Sequence, residues 1–579
     1  DALDPDFDYE MFTLVNYRSN PPYMAHGNGG MPNLNPKFGE SLPLMRIMSG
    51  SDYNKDIDRK MMEGMLKRIG DDGLYYELYR PETESWTSTK EDYANMMAQP
   101  RMLLAMLACY RKDNNPAWLE RIEKMVAGLK KIAIPKDDYV YYPAVQIAGI
   151  DLYHYGREGW KFTEEPPPVS QSQWGRYGFF AIGSTIRALV EVYFTTGNQD
   201  ALELARKFVN NLMRPNQWED VIEMSGRKVI TPENMAVGFQ NHAHIFLAGV
   251  RGLLSYGEAI QDRSLLDFTR QTYEYVRSTG LARIGWFGST VPSWTHQPDC
   301  VVDIEPCATA DMIALAIRLS DVGVGDYWDD VDGYIRNEMV ELQYTHLELM
   351  KKVSEHYPPH EVKPPKETND RVLERTIGSF FCTRKLTSMS VYGVEHCCTG
   401  NATRTLYYIW EHILHCDGKQ LTVNMLMNRV SEWADLYSYI PYQGKLDLKI
   451  KQPLEEVRVR IPHWVKPGSS AVSCSVDGAA REVKWDGNFI KVGAVTAGQL
   501  ITVNFPIEEQ TIQRIIYGEP LDTVIGGVIY DTLIFRGDTL VRMDPAGRGY
   551  PMYLREHYRQ EEPRYRKVQR FSPKKIVEY

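Results

Sequence analysis

Apolar residues recur at helical spacing, in successive pairs of segments, through the middle of this chain. The first pair covers residues 103–110 and 119–129, broken by Asp113-Asn114-Asn115-Pro116. The next three are 186–194 with 202–212, 246–260 with 266–276, and 312–319 with 328–335. Each break is a short Asp, Asn or Gly turn, chemistry that caps or reverses a helix. The second helices superpose by offset: Leu119, Ile122, Met125 and Val126 match Leu202, Ala205, Phe208 and Val209. One helical hairpin cannot bury its own apolar face, so repeated hairpins stack side by side. With the apolar spacing that follows Cys398, about six hairpins fit. A closed toroid of inner and outer helices buries them all, and so does an open solenoid.

The period changes after residue 417. Leu446-Asp447-Leu448-Lys449-Ile450 alternates strictly, as do Val457-Arg458-Val459-Arg460-Ile461 and Ile501-Thr502-Val503-Asn504-Phe505. Turn signals at Asp477-Gly478 and Asp486-Gly487-Asn488 separate short strands, and the pattern predicts a β-sandwich. Residues 1–55, rich in Asn, Pro, Gly and Met, read as an irregular wrapping segment, with a first helix over 61–69. The division predicted is 1–55 irregular, 56–417 helical, 418–545 β-sandwich, and 546–579 a charged tail. Long links at 134–175, 213–239, 280–305 and 344–397 must gather at one mouth of a toroid. Links of that length in a compact fold are usually functional or disordered. Trp160, Trp174, Trp286 and Trp294 lie on them, and Trp294 is the candidate for stacking on a sugar.

Composition narrows the function classes. A net charge of −10 argues against nucleic acid, whose phosphates need a basic surface. No run of 18 apolar residues suggests a membrane span. The chain opens Asp1-Ala2-Leu3 without an initiator Met, which fits a periplasmic or secreted protein after signal removal and equally a trimmed chain. Eight cysteines in 579 residues are too sparse for a disulfide framework.

Two cysteine motifs carry the candidate chemistry. Val394-Glu395-His396-Cys397-Cys398-Thr399-Gly400-Asn401 precedes apolar residues at 406, 409, 410, 413 and 414, so the thiols lie at a helix start that Thr399 or Asn401 could cap. A helix N-terminus favours a thiolate. In Asp303-Ile304-Glu305-Pro306-Cys307, Pro306 suits the first helical position and Glu305 the N-cap. Three thiols and one carboxylate, Glu305, Cys307, Cys397 and Cys398, make a four-coordinate zinc set. The same cysteines could also be plain buried side chains or a vicinal disulfide.

Glu305-Pro306-Cys307, the Cys397-Cys398 pair with Asn401, and Asn241-His242-Ala243 before an apolar helix together resemble glycoside hydrolase family 127, which includes β-L-arabinofuranosidases. The order of helices and strands is similar too, over about 90–545. The resemblance implies an (α/α)6 toroid followed by a β-sandwich. It implies zinc on Glu305, Cys307, Cys397 and Cys398, a Cys397 nucleophile forming a glycosyl-thioether, and His242 on the sugar hydroxyls. The implied protein is a retaining exo-glycosidase, a β-L-arabinofuranosidase on side chains of plant cell-wall glycans. Such chemistry needs a nucleophile and a proton donor. The family's acid/base glutamate, expected shortly before Glu305, is missing: after Gly288-Ser289-Thr290-Val291 come Pro292, Ser293 and Trp294. Asp299 is the candidate acid, with Asp303 and Glu395 as alternatives. A family histidine expected near Gly183 is replaced by Ser184-Thr185. Two other readings stay open. One is a hydrolase or lyase for an acidic or unsaturated sugar. The other is a non-catalytic carbohydrate-binding protein with a structural zinc.

Overall fold

The computed structural model describes residues 2–27, 30–81, 90–147, 150–169, 177–218, 222–224, 227–239, 241–291, 304–381, 383–385, 387–389, 393–517, 528–547 and 549–564. It contains both helices and sheets. The described helices are α1 (Asn35–Ser49), α2 (Lys55–Leu66), α3 (Gln99–Asp113), α4 (Ala117–Ile132), α5 (Tyr177–Thr196), α6 (Gln199–Leu212), α7 (Pro232–Phe239), α8 (Ala243–Ala259), α9 (Arg263–Ser278), α10 (Pro306–Asp321), α11 (Trp328–Tyr334), α12 (Leu347–Ser354), α13 (Val372–Arg375) and α14 (His396–His412). None of the described helices is long and apolar enough to cross a membrane.

Six of these helices form a ring. α1 packs on α3, α3 on α5, α5 on α8, α8 on α10, α10 on α14, and α14 returns to α1. The second helix of each hairpin sits beside its first: α2 on α1, α4 on α3, α6 on α5, α9 on α8 and α11 on α10. The hairpin turns cap as their residue types require. Asn198 accepts from the Ala201 N–H at 2.9 Å, and Asp262 accepts from the Ser264 and Leu265 N–H groups. The neighbours approach closely through glycine. A Cβ on Gly183 of α5 would fall 2.3 Å from the Gly249 Cα of α8.

The amino-terminal segment departs from the sequence expectation. Residues 35–49 are not irregular; they form α1, which closes the ring. Two prolines, Pro36 and Pro43, and the buried polar residues Asn35, Lys37, Glu40 and Ser41 hide this helix from an apolar-stripe reading. Ahead of it, Leu14–Asn16 and Tyr23–Ala25 form strands in a four-stranded sheet whose edge is Val394–Glu395.

The strand-rich part follows α14 directly. One five-stranded sheet starts at Leu414–Asp417, a few residues before the expected boundary. A six-stranded sheet has Lys445–Ile450 and Leu500–Asn504 as antiparallel neighbours, with Leu446 opposite Val503 and Leu448 opposite Ile501. A three-stranded sheet spans 509–544. It docks on the helices through Asn337, which donates to the Asp538 carbonyl and accepts from the Leu540 N–H, both at 2.8 Å. Arg460 adds ion pairs to Asp326 and Asp329. Part of the charged tail also packs back: Met389 N donates to Tyr550 O and Met552 N to Thr387 O.

Candidate active site

Backbone pairing brings both cysteine motifs to their places. Val394–Glu395 is held by Leu14–Val15, and His396 N donates to Thr13 O at 3.1 Å. Glu395, in extended conformation, is the residue before α14, so the helix starts at His396, ahead of the caps expected at Thr399 or Asn401. Cys397 and Cys398 therefore occupy its first turn. Gly400 lets this turn approach α1, since a Cβ there would sit 2.8 Å from Lys37 Cβ. On the facing element Glu305 is the N-cap of α10, with Pro306 opening the helix as anticipated. The Glu305 side chain makes no cap bond and is free to turn outward.

The two helix starts meet at sulfur. Cys307 Sγ lies 3.5 Å from Cys398 Sγ, and Cys397 Sγ lies 3.8 Å from Cys398 Sγ. All three fall within 4.8 Å of one another. No disulfide joins them. Two thiolates on tetrahedral zinc, each ~2.3 Å from the metal, stand ~3.8 Å apart, so the triad fits that ion's donor spacing. Glu305 is not one of the gathered group. Its Oε1 pairs instead with His242 Nε2 at 2.7 Å. His242 arrives there because Asn241–His242 pairs with Thr290–Val291, and Ala243 N donates to Ser289 O at 2.7 Å. This short ladder joins the 213–239 and 280–305 links.

The thiols are not equivalent. Cys307 and Cys398 are fully buried, while Cys397 is partly open. Burial pushes the Cys307 thiol well up. Cys397 is held well below the usual thiol range, because Cys307 and Cys398 hydrogen-bond to its sulfur and Lys37 and His244 stand near. Glu395 Oε2 is 3.8 Å from Cys397 Sγ. The negative charge on Cys397, and then burial, push the Glu395 carboxyl up to about 7.

A layer of polar side chains behind the sulfurs escapes the motif reading. Asn401 Nδ2 donates to Cys307 Sγ at 2.9 Å and lies 3.2 Å from His244 Nε2. His244 Nδ1 meets Asp311 Oδ2 at 2.5 Å, and Arg251 Nη1 donates to Asp311 Oδ1 at 2.7 Å. His244 and Arg251 hold the Asp311 carboxylate far below its ordinary range, while burial brings His244 down to about 4. Lys37 Nζ donates to the Cys397 carbonyl at 3.3 Å. The signal for these residues exists in the sequence as a charge inside an apolar helix: Asp311 in α10, Arg251 in α8, Arg404 in α14. Of the aromatic candidates, Trp286 is buried in the core and Trp160 donates to the Ile132 carbonyl, so both serve packing. Trp174, Trp294, Asp299 and Asp303 lie outside the described residues.

Several solved structures share this fold. A GH127 beta-arabinofuranosidase superposes with a TM-score of 0.56 at 15% identity, over 87% of this chain and 74% of that one. The fold is that of glycoside hydrolase family 127. A second such structure, a GH127 beta-L-arabinofuranosidase from Geobacillus stearothermophilus T6, gives 0.55 at 15% identity over 87% and 75% of the two chains. A third, a glycoside hydrolase, gives 0.53 at 13% identity over 93% of this chain and 84% of that one. No family model matches the sequence, and no curated protein matches it. The likeness is therefore one of fold.

Proposed function

We propose that this chain is a retaining exo-glycosidase of the family 127 type, with Cys397 as nucleophile, acting as a β-L-arabinofuranosidase on side chains of plant cell-wall glycans. The observation that carries the reading is the meeting of three thiols at two helix starts within 4.8 Å. Buried free cysteines placed for packing alone have no reason to converge from chain positions 91 residues apart. In the same reading the helical ring with its outer partners is an (α/α)6 toroid over 56–417, extended by α1, and the two larger sheets form a β-sandwich.

Cys307, Cys397 and Cys398, with Glu305 beside them, would hold zinc. Bound zinc supplies the positive charge that keeps the thiols deprotonated. Cys397 is the sulfur open to a ligand, so it attacks the anomeric carbon as the glycosidic bond breaks. The sugar is then carried as a thioether on Cys397, which water later displaces with the second inversion that retention requires. His242, oriented by Glu305, hydrogen-bonds the sugar hydroxyls. A proton must reach the leaving oxygen. Among the described residues Glu395 stands beside Cys397 and can carry that proton. Asp299 is the rival donor. Trp294 is the proposed stacking surface for the sugar.

The test is a panel of aryl glycosides, including the β-L-arabinofuranoside, with and without a chelator. Activated leaving groups need little acid assistance, so the panel detects the nucleophile alone. Turnover of the arabinofuranoside, lost on chelation, supports the reading. An inert panel with metal content intact sinks it in favour of a carbohydrate-binding protein. Glu395→Gln separates the two donors: if Glu395 is the acid, poor leaving groups suffer far more than activated ones.

A further inference from the structure

Inside the helical ring, beyond the thiols, is a small cavity. Lys37, Arg101, Arg187, His244, Arg251 and Arg404 line it, and among the described residues no acidic side chain does. The cysteines are not part of its wall either. The space open to the centre of a water-sized sphere is about 20 Å³. One water needs ~10–15 Å³ on that measure, so the cavity takes a single small occupant and not a tetrahedral oxyanion.

The charges around it do not balance. Arg187 and Arg404 share the Glu40 carboxylate, at 3.3 and 2.6 Å, and Tyr408 donates to it at 2.8 Å. Arg251 pairs with Asp311, which His244 also engages. Arg101 donates to the carbonyl and side-chain oxygens of Asn33, at 3.0 and 3.2 Å, and lies over the Phe180 ring. Lys37 has the Cys397 carbonyl at 3.3 Å. Among the described residues, five cations thus face two carboxylates, Glu40 and Asp311, and the Cys397 thiolate, whose charge reaches Lys37 and Arg101. The Nε of Arg404 is buried without a hydrogen-bond partner, in a residue only 5% exposed. A buried guanidinium N–H without an acceptor is unfavourable, and an arginine cannot shed its proton to relieve it.

We infer that this cavity binds one halide ion, chloride under ordinary conditions, held by Arg404 Nε, Arg101 and Lys37. The cavity is lined from α1, α3, α5, α8 and α14, and the three groups that hold the ion tie α1, α3 and α14 together. It acts as a structural counter-ion, independent of whether the chain hydrolyses glycosides.

The experiment uses the full chain with its metal. Thermal midpoints are compared in potassium chloride, bromide and gluconate at equal ionic strength. Ligand linkage predicts a saturable rise of several degrees with either halide and none with gluconate. Crystals grown in bromide should show an anomalous peak in the cavity. Arg101→Met removes one cation without orphaning a carboxylate, and should weaken the halide response at least tenfold. If that variant fails to fold, the wild-type titration and the bromide map decide alone. Equal midpoints in chloride and gluconate, or bromide only at the surface with water in the cavity, would overturn the site.

Discussion

The strand Lys445–Ile450 of the six-stranded sheet and the helix α1 of the ring bury their residues differently. In Lys445–Ile450 the inward residues Leu446, Leu448 and Ile450 are almost wholly buried, with Leu446 opposite Val503, Leu448 opposite Ile501 and Ile450 opposite Ala434. In α1 the buried residues include Asn35, Lys37, Glu40 and Ser41. The strand is held mainly by apolar area, with Asp447 as its one buried charge. The helix places charged groups where water cannot reach, which costs stability unless each charge finds a partner. The ring accepts that cost in the place where the thiols, His242 and the charged cavity gather.

The sharpest way to break the comparison is at Cys397. Cys397→Ser leaves a hydroxyl that is far less ionised and a poorer metal ligand. Arabinofuranoside turnover is expected to fall by three or more orders of magnitude, ~4 kcal/mol or more of transition-state stabilisation. Metal content measured on the same sample tells loss of nucleophile from loss of the site. Peptide mapping after trapping with an arabinofuranose-shaped electrophile should put the label on Cys397. A label on Glu395 or Asp299 instead would make a carboxylate the nucleophile.

Next in size is the buried charge network of the ring. Glu40 is only 1% exposed, and Arg404 and Arg187 hold its carboxyl down to about 2 against the effect of burial. Glu40→Leu removes the carboxylate that both guanidinium groups share and should destabilise by ~3–5 kcal/mol. Urea unfolding followed by circular dichroism measures it. A loss below that of the sheet variant described next would show that the ring's charges are freely hydrated.

Leu448→Ala in the six-stranded sheet should cost ~2–4 kcal/mol through the cavity it leaves. Metal content and turnover per folded molecule should stay unchanged, since Leu448 touches none of the site. If turnover falls with stability, the two regions are not independent.

A gradual effect, spread over pH instead of lost in one step, is a slope at their junction. Burial pushes the Glu338 carboxyl up to about 8, and Tyr553 hydrogen-bonds to it. The folded state therefore keeps a proton that the unfolded chain releases near pH 4.5. Between those values the folded form binds more protons, so stability falls as pH rises from about 4.5 to about 8 and levels off above. Glu338→Gln should flatten that part of the curve of melting temperature against pH. Parallel curves for variant and wild type would mean that Glu338 ionises normally in the fold.

Much of this molecule is legible from residue order alone. Helical periodicity located the hairpins because one stripe of each helix meets apolar neighbours, as Leu204, Phe208 and Val209 do in α6. Alternation located the strands at 446–450 and 457–461 for the same reason at period two. Pro306 placed Glu305 and Cys307 at a helix start, since a missing N–H is harmless there. α1 was not legible, because its inward face is polar and interrupted by proline. The start of α14 was misplaced because Glu395 is fixed by pairing with Leu14, a partner hundreds of residues distant.

Residue order by itself determined the element types and the donor atoms: two thiols in one motif, a thiol and a carboxylate in the other. The ring decided which of them meet. Sulfurs 3.5 Å apart belong to residues 91 positions apart, and no local rule relates them. Tertiary packing also decided that Glu305 faces His242, that Cys397 alone among the three thiols stays open, and that cations from five helices surround one cavity. Propensity and periodicity are properties of neighbours along the chain, whereas desolvation and Coulomb interaction depend on what stands nearby in space.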